Sequence, residues 1–230
     1  QLHLVLLEVA GEFSGTTEEQ NEKDVKAKAL SGIEAGGETQ LRLMYTRHMK
    51  ELKLTGNYLK NKKKKSEFEQ LAYKNIGGFF SEAEKAVQLL AGPQFQERLS
   101  YAKKTGELCH GSYNYHNIIF SNGNTAVTNF DKYKNECQIS DLYQFMRKIL
   151  EKYDIQTAYK MMEEYDKIKP VSDTERALLA ALFAFPEKFW KVMNYYFNSN
   201  KAWIPPKTKE KLEKVVQQNE KRQKFLETLL

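Results

Sequence analysis

The sequence predicts a mainly α-helical protein carrying one small β-hairpin, and three features predict it. Apolar residues recur at three- and four-residue steps over most of the chain after residue 40, the spacing of helices with one buried face. Asn122-Gly123 separates two short β-favouring runs, Ile118 to Ser121 and Asn124 to Phe130, and both turn residues tolerate the positive φ of a type I′ turn. With 230 residues and 41% apolar content, the chain can bury a sizeable core, as one large domain or one domain with an appendage.

Each element follows from local pattern. Leu2 to Val9 is a short apolar run that reads as a buried strand, Gly11 to Thr17 as a loop, and Glu18 to Ser31 as a polar helix broken at Gly32, Gly36 and Gly37. Leu41, Met44, Tyr45, His48, Leu52 and Tyr58 mark a long amphipathic helix that runs into the lysines at 60–65, with His48 packed on its apolar face. A second helix covers Phe68 to Leu90 and stops at Gly92-Pro93, and a shorter one covers Phe95 to Lys104. Beyond the hairpin, helices are expected over Asp141 to Lys152, Thr157 to Lys167, Thr174 to Phe185, Glu187 to Asn198, and from Lys207 to the end. Ser172 and Glu175 form a capping box that fixes one start. Trp190, Tyr195, Tyr196, Phe197 and Trp203 are the densest aromatic cluster, and helical spacing assigns most of them to the core. No linker is long enough to divide the chain.

Composition excludes several classes. Cys109 and Cys137 are too few for a disulfide framework and lack the paired spacing of a zinc site, which points to a reducing, cytosolic compartment. Cys109 ends an apolar strand and reads as a small buried residue rather than a nucleophile. The longest apolar runs, 3–9 and 177–185, fall short of the ~20 residues that span a bilayer. The net charge of +6 owes much to the run Lys60 to Lys65, which reads as a solvated helix end; without interleaved aromatics it gives no reason to expect nucleic acid. Gln1 opens inside the first apolar run with no starting Met and no signal-peptide pattern, so the sequence reads as a fragment or processed product.

The chemistry concentrates in one segment. Leu108-Cys109 leads into His110-Gly111-Ser112-Tyr113-Asn114-Tyr115-His116-Asn117, and the hairpin then delivers Asn129 next to Phe130. A loop from His to Asn followed by a tight hairpin resembles the catalytic segment of protein-kinase-like phosphotransferases. There the loop reads H-x-D-x-x-x-x-N and the hairpin ends in the aspartate that holds magnesium. The resemblance places His110 at the loop histidine, Asn117 at the metal-binding asparagine, Asn129 at the hairpin aspartate and Ser112 at the base. Serine cannot accept a proton at neutral pH, and a positioned base contributes about 10² to 10⁴ in rate. Asn129 offers magnesium a neutral amide where a carboxylate is preferred. Asp131, two residues on, would face the same side as Asn129 on an extended segment and could restore a metal ligand.

The wording Leu108-Cys109-His110-Gly111, Tyr113-Asn114, His116-Asn117, Thr128-Asn129-Phe130-Asp131, Asp141 to Lys152, Pro186 to Lys191 and Lys201-Ala202-Trp203-Ile204 closely resembles the CotS-like spore coat proteins of endospore-forming bacteria. The family belongs to the aminoglycoside and choline kinase branch of the kinase-like fold. The resemblance implies the C-terminal lobe of that fold over residues 11–230, and a hinge-strand remnant over 1–10 where Glu8 and Val9 would hold an adenine ring. The N-terminal lobe would be missing. Asp141 would brace the catalytic loop by accepting backbone N–H bonds.

Two functions follow as expectations. One is a catalytically impaired spore-coat protein that keeps the lobe as a structural or binding module, in the mother-cell cytoplasm or the coat. Its partners would be other coat proteins or the missing lobe, and the edge Leu2 to Val9 would favour self-association. The other is a small-molecule phosphotransferase that uses Mg and ATP, with Asn117 and Asp131 on the metal.

Overall fold

The computed structural model describes residues 40–121, 124–198 and 205–230. The readings of Leu2 to Val9 with Glu8 and Val9, of 11–37, of the Asn122-Gly123 turn and of Trp203 lie outside the described residues. In chain order the elements are α1 (Gln40–Asn61), α2 (Glu67–Leu89), α3 (Pro93–Thr105), β1 (Leu108–Cys109), β2 (Ile118–Ser121), β3 (Asn124–Val127), β4 (Lys134–Asn135), α4 (Ile139–Lys152), α5 (Ile155–Ile168), α6 (Asp173–Ala184), α7 (Glu187–Phe197) and α8 (Lys207–Glu227). The helices expected within the described residues are present, with ends shifted by one to three residues. Gly92-Pro93 both stops one helix and starts the next: Pro93 is the first residue of α3, where its missing N–H has no helical partner to lose.

The described residues divide into two compact units without any linker, one comprising 93–179, the other 40–92 and 180–230. An expectation built on linker composition misses this division, because the boundaries fall at the tight Gly92-Pro93 junction and inside α6.

In the unit of α1, α2, α7 and α8, α1 packs on α2 and α7, and α8 packs on the same two helices. Tyr45, His48, Leu52 and Leu59 form the buried stripe of α1. Phe68, Ala72, Ile76, Phe79, Ala83 and Ala86 form that of α2, whose start is fixed by a capping box of Ser66 and Glu69. Phe79 stacks on Phe189 and Tyr45 on Phe185, at centroid separations of 3.9 and 3.8 Å. Arg222 of α8 donates to the Phe183 and Ala184 carbonyls at 2.6 and 3.0 Å, which satisfies acceptors at the buried C-terminal end of α6, and it pairs with Glu82.

The aromatic cluster of α7 is not core, contrary to expectation. Phe189 and Met193 are the buried residues of that helix, whereas Tyr195 is exposed and Trp190, Tyr196 and Phe197 are half-buried. Three consecutive residues span most of a helix circumference, so 195–197 cannot share one buried face. Trp190 lies flat on buried His48 (3.4 Å, 19°) and donates from Nε1 to Glu51 at 2.7 Å.

In the other unit, β1 pairs antiparallel with β4, Leu108 opposite Asn135, and β2 pairs antiparallel with β3, Ile118 opposite Val127 and Ser121 opposite Asn124. Helix α4 packs on α5 and buries Ile139, Leu142, Phe145, Met146 and Ile149. Arg98 of α3 sits between two acids: its guanidinium reaches Glu175 at 2.7 Å and Glu107 at 2.8 Å. Glu107 also accepts from the Gln138 amide and from Lys169, and Glu175 from Ser172, the expected capping box. Burial alone would push the Glu107 carboxyl up; the Gln138 amide, Arg98 and Lys169 overcome it and hold the group below its ordinary value. Glu107, Cys137 and Glu175 are the one metal-type donor cluster among the described residues, and the Arg98 cation already fills it.

Two predictions follow from these cores. Arg98→Met should cost about 3 kcal/mol in chemical denaturation, because it leaves buried Glu175 without its cation and Glu107 with Lys169 alone. Burial, opposed by Glu51, lowers the His48 imidazole below its ordinary 6.5. The unfolded ring then holds a proton that the folded ring rejects, so stability falls as pH drops below about 6.5. Melting temperatures between pH 7.5 and 5.5 should show that loss, and His48→Phe should flatten it.

Candidate functional site

The loop after β1 is held from below by one carboxylate. Asp141, in the first turn of α4, accepts from the His110 amide at 2.6 Å and the Gly111 amide at 3.0 Å, one to each oxygen. Burial pushes the Asp141 carboxyl above its ordinary value, and the two amides draw it back only in part. His110, fully buried, ties the loop to the hairpin strand: Nε2 donates to the Thr128 carbonyl at 2.8 Å and Nδ1 accepts from the Ser112 amide at 3.1 Å. A carbonyl can only accept and an amide only donate, so these two partners assign the hydrogen to Nε2. Gly111 has φ +73°, and a Cβ there would lie 2.0 Å from the Lys132 carbonyl oxygen, so no other residue fits.

Above this base runs a chain of amides. Asn114 caps the short 3₁₀ turn Tyr115–Asn117, accepting from the His116 amide, while its Nδ2 donates to the Ser112 carbonyl at 2.7 Å. Asn117 Nδ2 donates to the same carbonyl at 2.8 Å, and Asn129 Nδ2 donates to Asn117 Oδ1 at 2.8 Å. Asn129 itself is left-handed, with φ 65° and ψ 54°. The backbone then enters a 3₁₀ turn, Phe130–Lys132, and does not continue extended. The alternation argument for Asp131 therefore fails at its premise, and Asp131 stands exposed on that turn. Sequence reasoning missed the Lys132 carbonyl under Gly111, for which no local signal exists, and the capping role of Asn114, for which Asn two residues before a turn amide is a readable sign.

The sequence-nominated residues His110, Ser112, Asn117, Asn129 and Asp141 are brought together, while Glu8 and Val9 lie outside the described residues. Asn117 Oδ1 accepts from Asn129 Nδ2, so a cation at that oxygen would compete with this hydrogen bond, and neither side chain carries a carboxylate. The Asn117 amide is itself fixed in orientation by the Ser112 carbonyl. At the base position, Ser112 offers a hydroxyl without a proton-accepting partner among the described residues. Cys109 beneath the loop is a buried thiol donating to the Glu136 carbonyl, its pKa pushed up by burial, so it is no nucleophile.

Residues 39–229 match the family model described as "Spore coat putative kinase YutH". The chain belongs to this family. Among solved structures it is similar to an aminoglycoside phosphotransferase from Alicyclobacillus acidocaldarius subsp. acidocaldarius DSM 446, with TM-score 0.76 and 19% identity over 84% of this chain and 58% of the other. That likeness establishes the fold, that of the C-terminal lobe of a kinase-like phosphotransferase, and this spore coat kinase-like chain spans 58% of that structure's length. No curated protein matches it.

Two substitutions test the site's construction. Asp141→Ala should orphan two loop amides at about 1–3 kcal/mol each, whereas Ser112→Ala should leave the melting temperature nearly unchanged. Asn129→Asp replaces the donor with a carboxylate facing the Asn117 oxygen; it should destabilise by about 1–3 kcal/mol in chelator, with part of the loss recovered by millimolar magnesium.

Proposed function

We propose that this chain is a spore-coat-associated kinase-like protein that does not transfer phosphate and acts as a structural or binding module, in the mother-cell cytoplasm or the coat, with other coat proteins as partners. The observation that carries this reading is the Asn129 to Asn117 hydrogen bond, which replaces the paired oxygens a phosphate-bound cation needs. Ser112 in place of a base supports it independently. The loop is braced and closed on itself, an arrangement suited to a rigid surface rather than to a metal site.

A second reading, an ATP-dependent small-molecule phosphotransferase acting on a hydroxyl, draws on the exposure of Asp131 two residues after Asn129 and on the fold shared with an aminoglycoside phosphotransferase. Titration calorimetry with MgATP separates the two. The proposed function expects no saturable binding tighter than about 10 μM, which corresponds to roughly 7 kcal/mol. Tighter binding that disappears in Asp131→Asn would establish the phosphotransferase reading instead.

A further inference from the structure

Helix α1 buries Tyr45, His48, Leu52 and Leu59 on one side, and on the opposite side Leu43, Arg47, Lys50, Leu54 and Tyr58 recur at three- and four-residue steps. From Leu43 to Tyr58 this outward ridge is about 22 Å long. Its apolar members stand well clear of the protein, Leu43 being 50%, Leu54 68% and Tyr58 52% exposed. The charge around them is almost all of one sign: residues 40–65 hold nine Lys or Arg and a single acid, Glu51. Glu51 is half-buried and already engaged, accepting from Trp190 Nε1 at 2.7 Å and from Arg47 at 3.2 Å.

The turn after α1 extends this charge and is rigidly built. Lys62 donates to Glu69 and Lys65 to the Lys62 carbonyl, both at 2.6 Å, and the capping box of Ser66 and Glu69 closes the turn onto α2. With those two lysines turned back, Lys63 and Lys64 are left outward. The ammonium groups of Lys50, Lys53, Lys60, Lys63 and Lys64 are exposed and have no partner among the described residues. The acids that follow, Glu67 and Glu69, are taken by Lys209 and Lys62. Each nearby carboxylate is therefore spent on another cation, and the free lysines make one positive field that an extended layer of anions would relieve.

We propose that the outer face of α1 and the turn after it dock on an anionic lipid surface, with Arg47 and the free lysines at the headgroup phosphates and Leu43, Leu54 and Tyr58 at the acyl boundary beneath. The charge selects an anion, and the apolar side chains held at the crest select one whose charged layer covers an apolar layer. A tyrosine, with its apolar ring and polar tip, fits that depth. The ridge of a helix is convex, whereas an acidic peptide would need a groove or a sheet edge to lie in. A single strand of nucleic acid would need stacking faces, and Tyr58 is the one aromatic residue of the ridge. The contact is with the surface alone, since among the described residues no helix is long and apolar enough to cross a membrane. The site stands whether or not the kinase-like loop binds nucleotide.

Co-sedimentation of the full chain with vesicles tests it, using phosphatidylcholine alone and phosphatidylcholine with about 30% phosphatidylglycerol. The chain should bind the anionic vesicles and not the neutral ones, and should be released as salt rises. Lys63→Glu with Lys64→Glu should weaken binding by about tenfold or more, with Lys50→Gln and Lys53→Gln as a second pair if the first alters the circular-dichroism melt. Leu43→Gln with Leu54→Gln leaves the net charge unchanged and should still weaken binding by about threefold or more. The proposal is overturned by absence of binding to anionic vesicles, by equal binding to neutral ones, or by unchanged affinity in either the lysine or the leucine variant when folded. Duplex DNA that binds more tightly at equal phosphate concentration, and is indifferent to the leucine variant, would overturn it in favour of nucleic acid.

Discussion

Asp141 holds two consecutive backbone amides, and the rest of the loop is built on that anchor. Residues 110 and 111 turn sharply at the end of β1, so their N–H groups point into the protein and need an acceptor that no strand or helix supplies. With those two fixed, His110 is aimed at Thr128 and Gly111 at the Lys132 carbonyl, which joins the loop to both ends of the segment after the hairpin. Such an anchor belongs to architecture, and it does not depend on whether anything reacts at Ser112.

The amide chain from Ser112 through Asn117 to Asn129 ties the loop to the segment after the hairpin through neutral groups. A cation draws several oxygens to one point; here a single N–H performs the same joining between two side chains at 2.8 Å, without charge and without desolvating an ion. Asn tolerates the left-handed backbone at position 129, so the exchange need not disturb the turn that follows.

Much of this fold was legible in the sequence, where periodicity spoke for long segments. The apolar spacing gave α1 and α2 closely, and Ser172 with Glu175 marked α6, though the equal signal of Ser66 with Glu69 went unread. The β1 to β4 pairing was not legible, since two-residue strands contain no pattern to read. Burial along α7 was misjudged because aromatic density says nothing about which face points inward. At the site, residue types were readable but not the direction of the Asn129 amide: asparagine carries a donor and an acceptor at equal reach, and only the neighbouring Asn117, itself fixed by Ser112, decides between them.

The close approach of the Lys132 carbonyl to Gly111 separates two histories that such a loop can undergo. A lineage freed from catalysis can exchange Ser112 with little consequence for folding, yet any side chain at 111 collides with main chain and dislodges the segment. Drift would therefore erase the chemistry while leaving its mould intact. A glycine retained there records the demands of assembly, and a search that counts it as a vestige of enzymatic activity would overestimate how many such proteins are enzymes.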